Sequence, residues 1–185
     1  MPYPAPPAGR ETFDKPQEKI MYDKILVPVD GSETSTRGLN EAIRLAKING
    51  GQLRLMNIVN EYILDATYST GLFPDNLIAA LCKEGKAILD AAQAIAQSAG
   101  IKADTVMIES IGGVPADFII AQAKEWNADI IVMGTHGRRG LLRLALGSNA
   151  DLVVRAATMP VLLVHATPKK TSKPEFTIRP EATAA

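Results

Sequence analysis

The chain has 185 residues, 46% of them hydrophobic, and its 20 basic side chains match its 20 acidic ones. That length suits one domain with a sizeable core, and the balanced charge supplies no overall field to steer it toward nucleic acid or an acidic membrane surface. The lone cysteine, Cys82, excludes an internal disulfide framework and a cysteine-built zinc site, and it points to a reducing compartment, the cytoplasm.

No apolar run approaches the roughly 18 to 20 residues that a membrane-spanning helix needs, and the N-terminus lacks the basic start and apolar stretch of a secretory signal. Residues 1–21 instead carry Pro2, Pro4, Pro6 and Pro7 and then mixed charge without a period, which predicts an extended arm. From Ala166 onward Thr, Pro, Lys and Glu dominate, so residues 166–185 are expected to form a tail without a core of its own. The globular unit is expected at 22–165.

Lys24 to Asp30, KILVPVD, alternates too little for a half-exposed strand and reads as one covered on both faces, the habit of parallel sheets. Pro28 has no N–H for a ladder and so belongs near the strand's C-terminal end. Gly31 to Ser35 supply turn and capping residues, and Leu39, Ala42, Ile43 and Ala46 follow at helical spacing. Asn49-Gly50-Gly51 stops that helix, and QLRLMNIV, Gln52 to Val59, is the second strand. Residues 60–73 show no period and predict a long loop of the kind that often serves function.

From Pro74 to Ala99 the positions Ile78, Leu81, Gly85, Ile88, Ala92, Ile95 and Ala99 trace one stripe of a long helix. A third strand, Ala103 to Glu109, leads through Gly112-Gly113 into a helix with Pro115 in its first turn and Phe118, Ile119, Ala123 and Trp126 toward the core. Asp129 to Met133 is a run of buried-strand type, a further helix runs from Gly147 to Ala157 on Ala150, Leu152, Val153 and Ala156, and Pro160 opens a last strand, Val161 to Val164. Strand and helix alternating four times before a fifth strand predict a doubly wound α/β domain with a mainly parallel sheet and helices on both faces.

The chemical signature lies between the last two strands. GTHGRRGLLRLALGS, Gly134 to Ser148, spaces its glycines as Gly, two residues, Gly, nine residues, Gly-Ser. Glycine lets backbone approach a ligand closely, and a glycine-rich turn opening onto a helix aims unpaired N–H groups and a positive dipole end at one point. Such a point attracts phosphate. In doubly wound sheets ligands sit beyond the strand ends where strand order reverses, and Asp30 and Gly134 mark the two strand ends with unusual sequence.

ILVPVDGS, VMGTHGRRGLLRLALGS and the closing PVLLVH together resemble the universal stress proteins, over about residues 22–165, and the glycine spacing resembles that of the members that bind ATP. The resemblance implies a Rossmann-like five-stranded sheet in the order 3-2-1-4-5, which brings the ends of the first and fourth strands side by side. It further implies that Pro28, Val29 and Asp30 border the adenine, with Ile58 offering backbone polar groups to the base. Met133 and Gly134 would lie along sugar and phosphates, and Gly137, Gly147, Ser148 and Asn149 would hold the phosphate chain. ATP is the implied ligand, with AMP or cyclic AMP as alternatives and Mg or Mn accompanying the phosphates. Asn57 stands where the family often has His, and Asn149 where a small or β-branched residue is usual.

Blander readings stand beside these. Asp30 can simply open a turn, Ser148 can be a helix cap, and His136, Arg138, Arg139 and Arg143 can be ordinary surface residues. The nearly all-apolar final strand would be an aggregation hazard at a sheet edge; the resemblance implies a homodimer covering Val161 to Val164. The glycine loop has no lysine, unlike a Walker motif, and no zinc spacing or Ser-His-Asp arrangement appears, so no catalytic residue is assigned. The expected function is a cytoplasmic, nucleotide-dependent stress-response regulator acting on an unidentified client protein, with no nucleic-acid partner and no membrane insertion. A slow or self-phosphorylating ATPase and a nucleotide-free dimeric adaptor are the alternatives.

Overall fold

The computed structural model describes residues 21–60, 77–110, 112–136 and 146–165. Most of the arm, all of the tail, most of the loop expected at 60–73, and Gly137 with the three arginines of the glycine-rich stretch lie outside these residues.

Ile25, Leu26 and Val27 are fully buried in β1 (Lys24–Pro28), which explains the missing alternation: each face of this strand meets a layer of helices. Ile25 and Val27 pack with Leu39, Ala42, Ile43 and Ala46 of α1 (Glu33–Asn49) and with Leu89, Ala92 and Ala96 of α2 (Leu77–Ser98). Leu26 packs the other way, against Ala116, Ile119 and Ala123 of α3 (Pro115–Glu125) and Ala150 and Val153 of α4 (Ser148–Ala156). Each such side chain gains about 1.5–3 kcal/mol on burial, so the middle of the sheet anchors both faces.

β2 (Gln52–Asn60), β3 (Ala103–Ser110), β4 (Ile130–Gly134) and β5 (Val161–Val164) complete one all-parallel sheet in the order β3-β2-β1-β4-β5. The chain builds outward from β1 to β3, then crosses to β4 and builds the other way. Right-handed crossovers therefore place α1 and α2 on one face and α3 and α4 on the other. The reversal falls between β1 and β4, paired through Ile25↔Ile130 and Leu26↔Ile131. This doubly wound, Rossmann-like architecture is the one expected from the sequence.

Local signals explain the element ends. Pro28 is the last residue of β1, where ladder pairing stops. Ser32 caps α1, its hydroxyl accepting the Ser35 N–H at 3.2 Å, and Gly50 ends the helix at φ 69°, a left-handed conformation that costs glycine little.

Two helix faces differ from the expectation. In α2 the buried positions are Gly85, Leu89, Ala92 and Ala96, whereas Ile78 and Ile95 are 46% and 38% exposed. This helix is rich in alanine, so two neighbouring stripes have nearly equal apolar character and spacing alone does not choose between them. In α4 only Ala150 and Val153 are buried; Leu152 is exposed, as is Ala156.

Candidate functional site

The site is built where β1 and β4 end side by side. Beyond Pro28 the chain is tied down at each residue. The Val29 N–H donates to the Met56 carbonyl at 2.7 Å, and the Val29 carbonyl accepts from Asn57 Nδ2 at 2.7 Å. The Asp30 N–H donates to Ser35 Oγ at 3.1 Å, and Asp30 Oδ1 accepts the Ser32 N–H at 2.9 Å. Asp30 thus does form the local turn.

β2 outlasts β1, whose register with it stops at Pro28↔Met56. Even-numbered residues of β2 face β1, as the Gln52 N–H to Asp23 and the Met56 carbonyl show, while the Leu53 N–H donates the other way to Lys102 beside β3. By this alternation Ile58 aims its N–H and C=O toward the space past the end of β1. The Ile58 side chain is half-buried.

On the β4 side Met133 is buried and Gly134 packs under the first turn of α1. A Cβ on Gly134 would lie 2.8 Å from the Thr34 carbonyl carbon and 3.0 Å from the Ser35 nitrogen, so the helix N-terminus itself demands glycine here. Thr135 is fully buried, its N–H donating to the Val164 carbonyl at 3.0 Å. Its carbonyl accepts the Gly147 N–H at 2.9 Å, and a Cβ on Gly147 would come within 2.9 Å of that same oxygen. Gly147 therefore spends its N–H inside the protein, and the close approach it permits is first of all to backbone. The Thr34 hydroxyl donates to the His136 carbonyl, which ties the first turn of α1 to the segment leaving β4.

Gly147, not Ser148, is the N-cap of α4, and it makes no side-chain cap bond. Ser148 is the first helical residue, with an exposed side chain, and Asn149 is half-buried. Helical bonding begins with the Asp151 N–H to the Gly147 carbonyl at 2.9 Å. The amides of Ser148, Asn149 and Ala150 consequently have no acceptor within the helix, and the positive dipole end lies among them. This is an anion-competent helix start next to the strand-order reversal.

The structure thus gathers Pro28, Val29, Asp30, Ile58, Met133, Gly134, Gly147, Ser148 and Asn149 around the ends of β1 and β4, while Gly137 falls outside the described residues. Thr34 and Thr135 are site neighbours that no motif marks individually in the sequence, and Asn57 stands out there only as a departure from the family habit. Asn57 left a trace, being a polar residue in an apolar strand run, and it is 5% exposed. Among the described residues no group of three or more His, Cys, Asp or Glu is placed to hold a metal ion, and no helix is long and apolar enough to cross a membrane.

Residues 21–165 match the Universal stress protein family. The chain belongs to that family. The universal stress protein MJ0531 of Methanocaldococcus jannaschii is 38% identical over 154 residues, 81% of this chain and 85% of that relative. Among solved structures, a universal stress protein in complex with cAMP superposes with a TM-score of 0.56 at 28% identity, over 78% of this chain and 97% of that one. The universal stress protein of Archaeoglobus fulgidus in complex with dAMP superposes with a TM-score of 0.58 at 25% identity, over 78% and 98% of the two chains. Some structural relatives of this universal stress protein therefore bind adenine nucleotides.

Proposed function

We propose that this universal stress protein binds ATP at the ends of β1 and β4 and acts as a nucleotide-dependent regulator, with AMP or cyclic AMP as competing ligands. The observation that carries the reading is the start of α4: three successive first-turn amides without helical acceptors, beside the strand-order reversal where such folds place ligands. The adenine nucleotides held by the cAMP and dAMP complexes support the base identity.

In this reading Pro28, Val29 and Asp30 border the base, and the backbone of Ile58 reads its edge. Met133 and Gly134 line the sugar, and the amides of Ser148 and Asn149 with the Ser148 hydroxyl hold phosphate. Gly147 contributes its missing side chain, since its N–H is engaged with Thr135. A divalent Mg or Mn ion rides on the phosphate oxygens. The protein works in the cytoplasm, where the single thiol of Cys82 stays reduced.

The same reading makes the chain a homodimer through Val161 to Val164. β5 is an edge strand whose even-numbered residues face β4, as the Pro160 and Val164 carbonyls accepting from Ile131 and Thr135 show. Val161 and Leu163 then present their N–H groups outward. Val161→Pro removes one outward donor without touching the β4 ladder, and light scattering should find a dimer in the parent chain and a monomer in the variant.

The test of the ligand is to denature freshly purified protein, identify any released nucleotide, and titrate ATP while following the melting transition. ATP at a hundredfold its dissociation constant should add about 2.7 kcal/mol of stability. Turnover of ATP that tracks the purified protein would favour the enzyme alternative, and no nucleotide with no shift would favour the adaptor.

A further inference from the structure

Between the base side and the phosphate side of the site runs a chain of hydrogen bonds through the first turn of α1. The Ser32 N–H donates to Asp30 Oδ1 at 2.9 Å, and Ser32 Oγ lies 3.2 Å from Thr34 Oγ1. The Thr34 hydroxyl gives its single proton to the His136 carbonyl, so in the Ser32 contact it must be the acceptor and Ser32 the donor. Ser32 Oγ still accepts the Ser35 N–H as the helix cap, which is consistent with that direction. Every link from Asp30 to His136 therefore has a defined donor. Thr34 is 7% exposed, and the backbone of Gly134 lies against it, so both bonds are partly shielded from bulk water.

We propose that Thr34 is a positioning residue for the polyphosphate of the nucleotide, holding the backbone that leaves β4 in the geometry that starts α4. The peptide fixed by Thr34 adjoins Thr135, whose carbonyl takes the Gly147 N–H, and Gly147 caps the helix whose first amides face the phosphate. Releasing the His136 carbonyl loosens that arrangement while leaving Pro28 and Ile58 in the sheet and Val29 bonded to Met56. The effect falls on phosphate and spares the base. For its ligand this inference rests on the nucleotide reading above; the geometry stands by itself.

The test compares Thr34→Val, Thr34→Ser and the parent chain by two measurements. Calorimetry with ATP and with adenosine should show Thr34→Val weakening ATP by about fivefold or more, the worth of one hydrogen bond, with adenosine within about twofold of the parent. Thr34→Ser, which keeps the hydroxyl, should match the parent for both ligands. Hydrogen exchange on the ligand-free chain should show the Gly147 amide opening faster in Thr34→Val and normally in Thr34→Ser. Thr34→Ala carries the same comparison if the valine variant does not fold.

Equal losses for ATP and adenosine, or none, in a parent that binds both would overturn the proposal and leave the nucleotide reading intact. A parent that binds neither compound sinks the nucleotide reading, and exchange at Gly147 then decides the tether: acceleration upholds it, and parent-like exchange in Thr34→Val overturns it.

Discussion

The two ends of the sheet use their polar groups differently. Where the strands begin, side chains close the backbone off: Asp129 Oδ2 accepts the N–H groups of Asp23 at 3.0 Å and Lys24 at 2.9 Å. Lys24 Nζ reaches the Trp126 carbonyl at 3.2 Å, and the Arg54 guanidinium stacks 4.6 Å from the Trp126 ring centre while pairing with Asp104. That hydrogen-bonded pairing raises the Arg54 pKa above its ordinary value, with partial desolvation opposing it. Where the strands end, the β1 turn is equally well tied, but α4 starts on a bare glycine cap with its first amides unclaimed by the helix. One end spends its donors on the fold; at the other, the first amides of α4 have no acceptor within the helix.

Substitutions at the two ends should separate stability from binding. The largest effect belongs to Gly134→Val, which drives branched carbon into backbone at 2.8 Å and serves both roles; chemical denaturation should show a loss of about 3 kcal/mol, and ATP binding should vanish. Asp129→Ala comes next, removing the acceptor of two backbone amides at the closed end. It should cost about 2 kcal/mol and leave ATP affinity unchanged. Ser32→Ala deletes the α1 cap and should cost about 1 kcal/mol. Ser148→Ala is the mirror of Asp129→Ala: an exposed, non-capping hydroxyl whose loss should move stability by less than about 0.5 kcal/mol and weaken ATP by about fivefold. A Ser148 variant that lost stability but not affinity would break the contrast.

Much of this architecture was legible in the sequence because single residues announced it. The unbroken apolar run of β1, Pro28 at its end, Ser32 before α1 and Gly50 after it each satisfied a local requirement, and alternating strands and helices set the sheet class. The choice of helix face was less legible. Leu89 and Ala96 won over Ile78 and Ile95 because the contour of β2 and β3 decides which stripe of an alanine-rich helix fits, and no spacing rule contains that contour.

At the site, the glycine pattern located the region but not the reason for each glycine. Gly134 is needed by the first turn of α1 and Gly147 by the Thr135 carbonyl, contacts that join residues about a hundred and about a dozen positions apart in the chain. Ser148 was open to reading as a cap, yet Gly147 holds that position, its N–H bonded to the Thr135 carbonyl at a distance that leaves no room for a Cβ. Thr34 showed only as one of the turn and capping residues of Gly31 to Ser35. A buried hydroxyl in a helix first turn looks like any other until the fold sets the His136 carbonyl in front of it.

The most direct measurement is nitrogen-15 NMR of the full chain during ATP addition. The amides of Ser148, Asn149 and Ala150 should show the largest shifts, those of Asp30 and Ile58 smaller ones, and those of Lys24 and Trp126 none. Saturating ATP that leaves Ser148 to Ala150 unmoved, or shifts the Trp126 end most, would contradict the account.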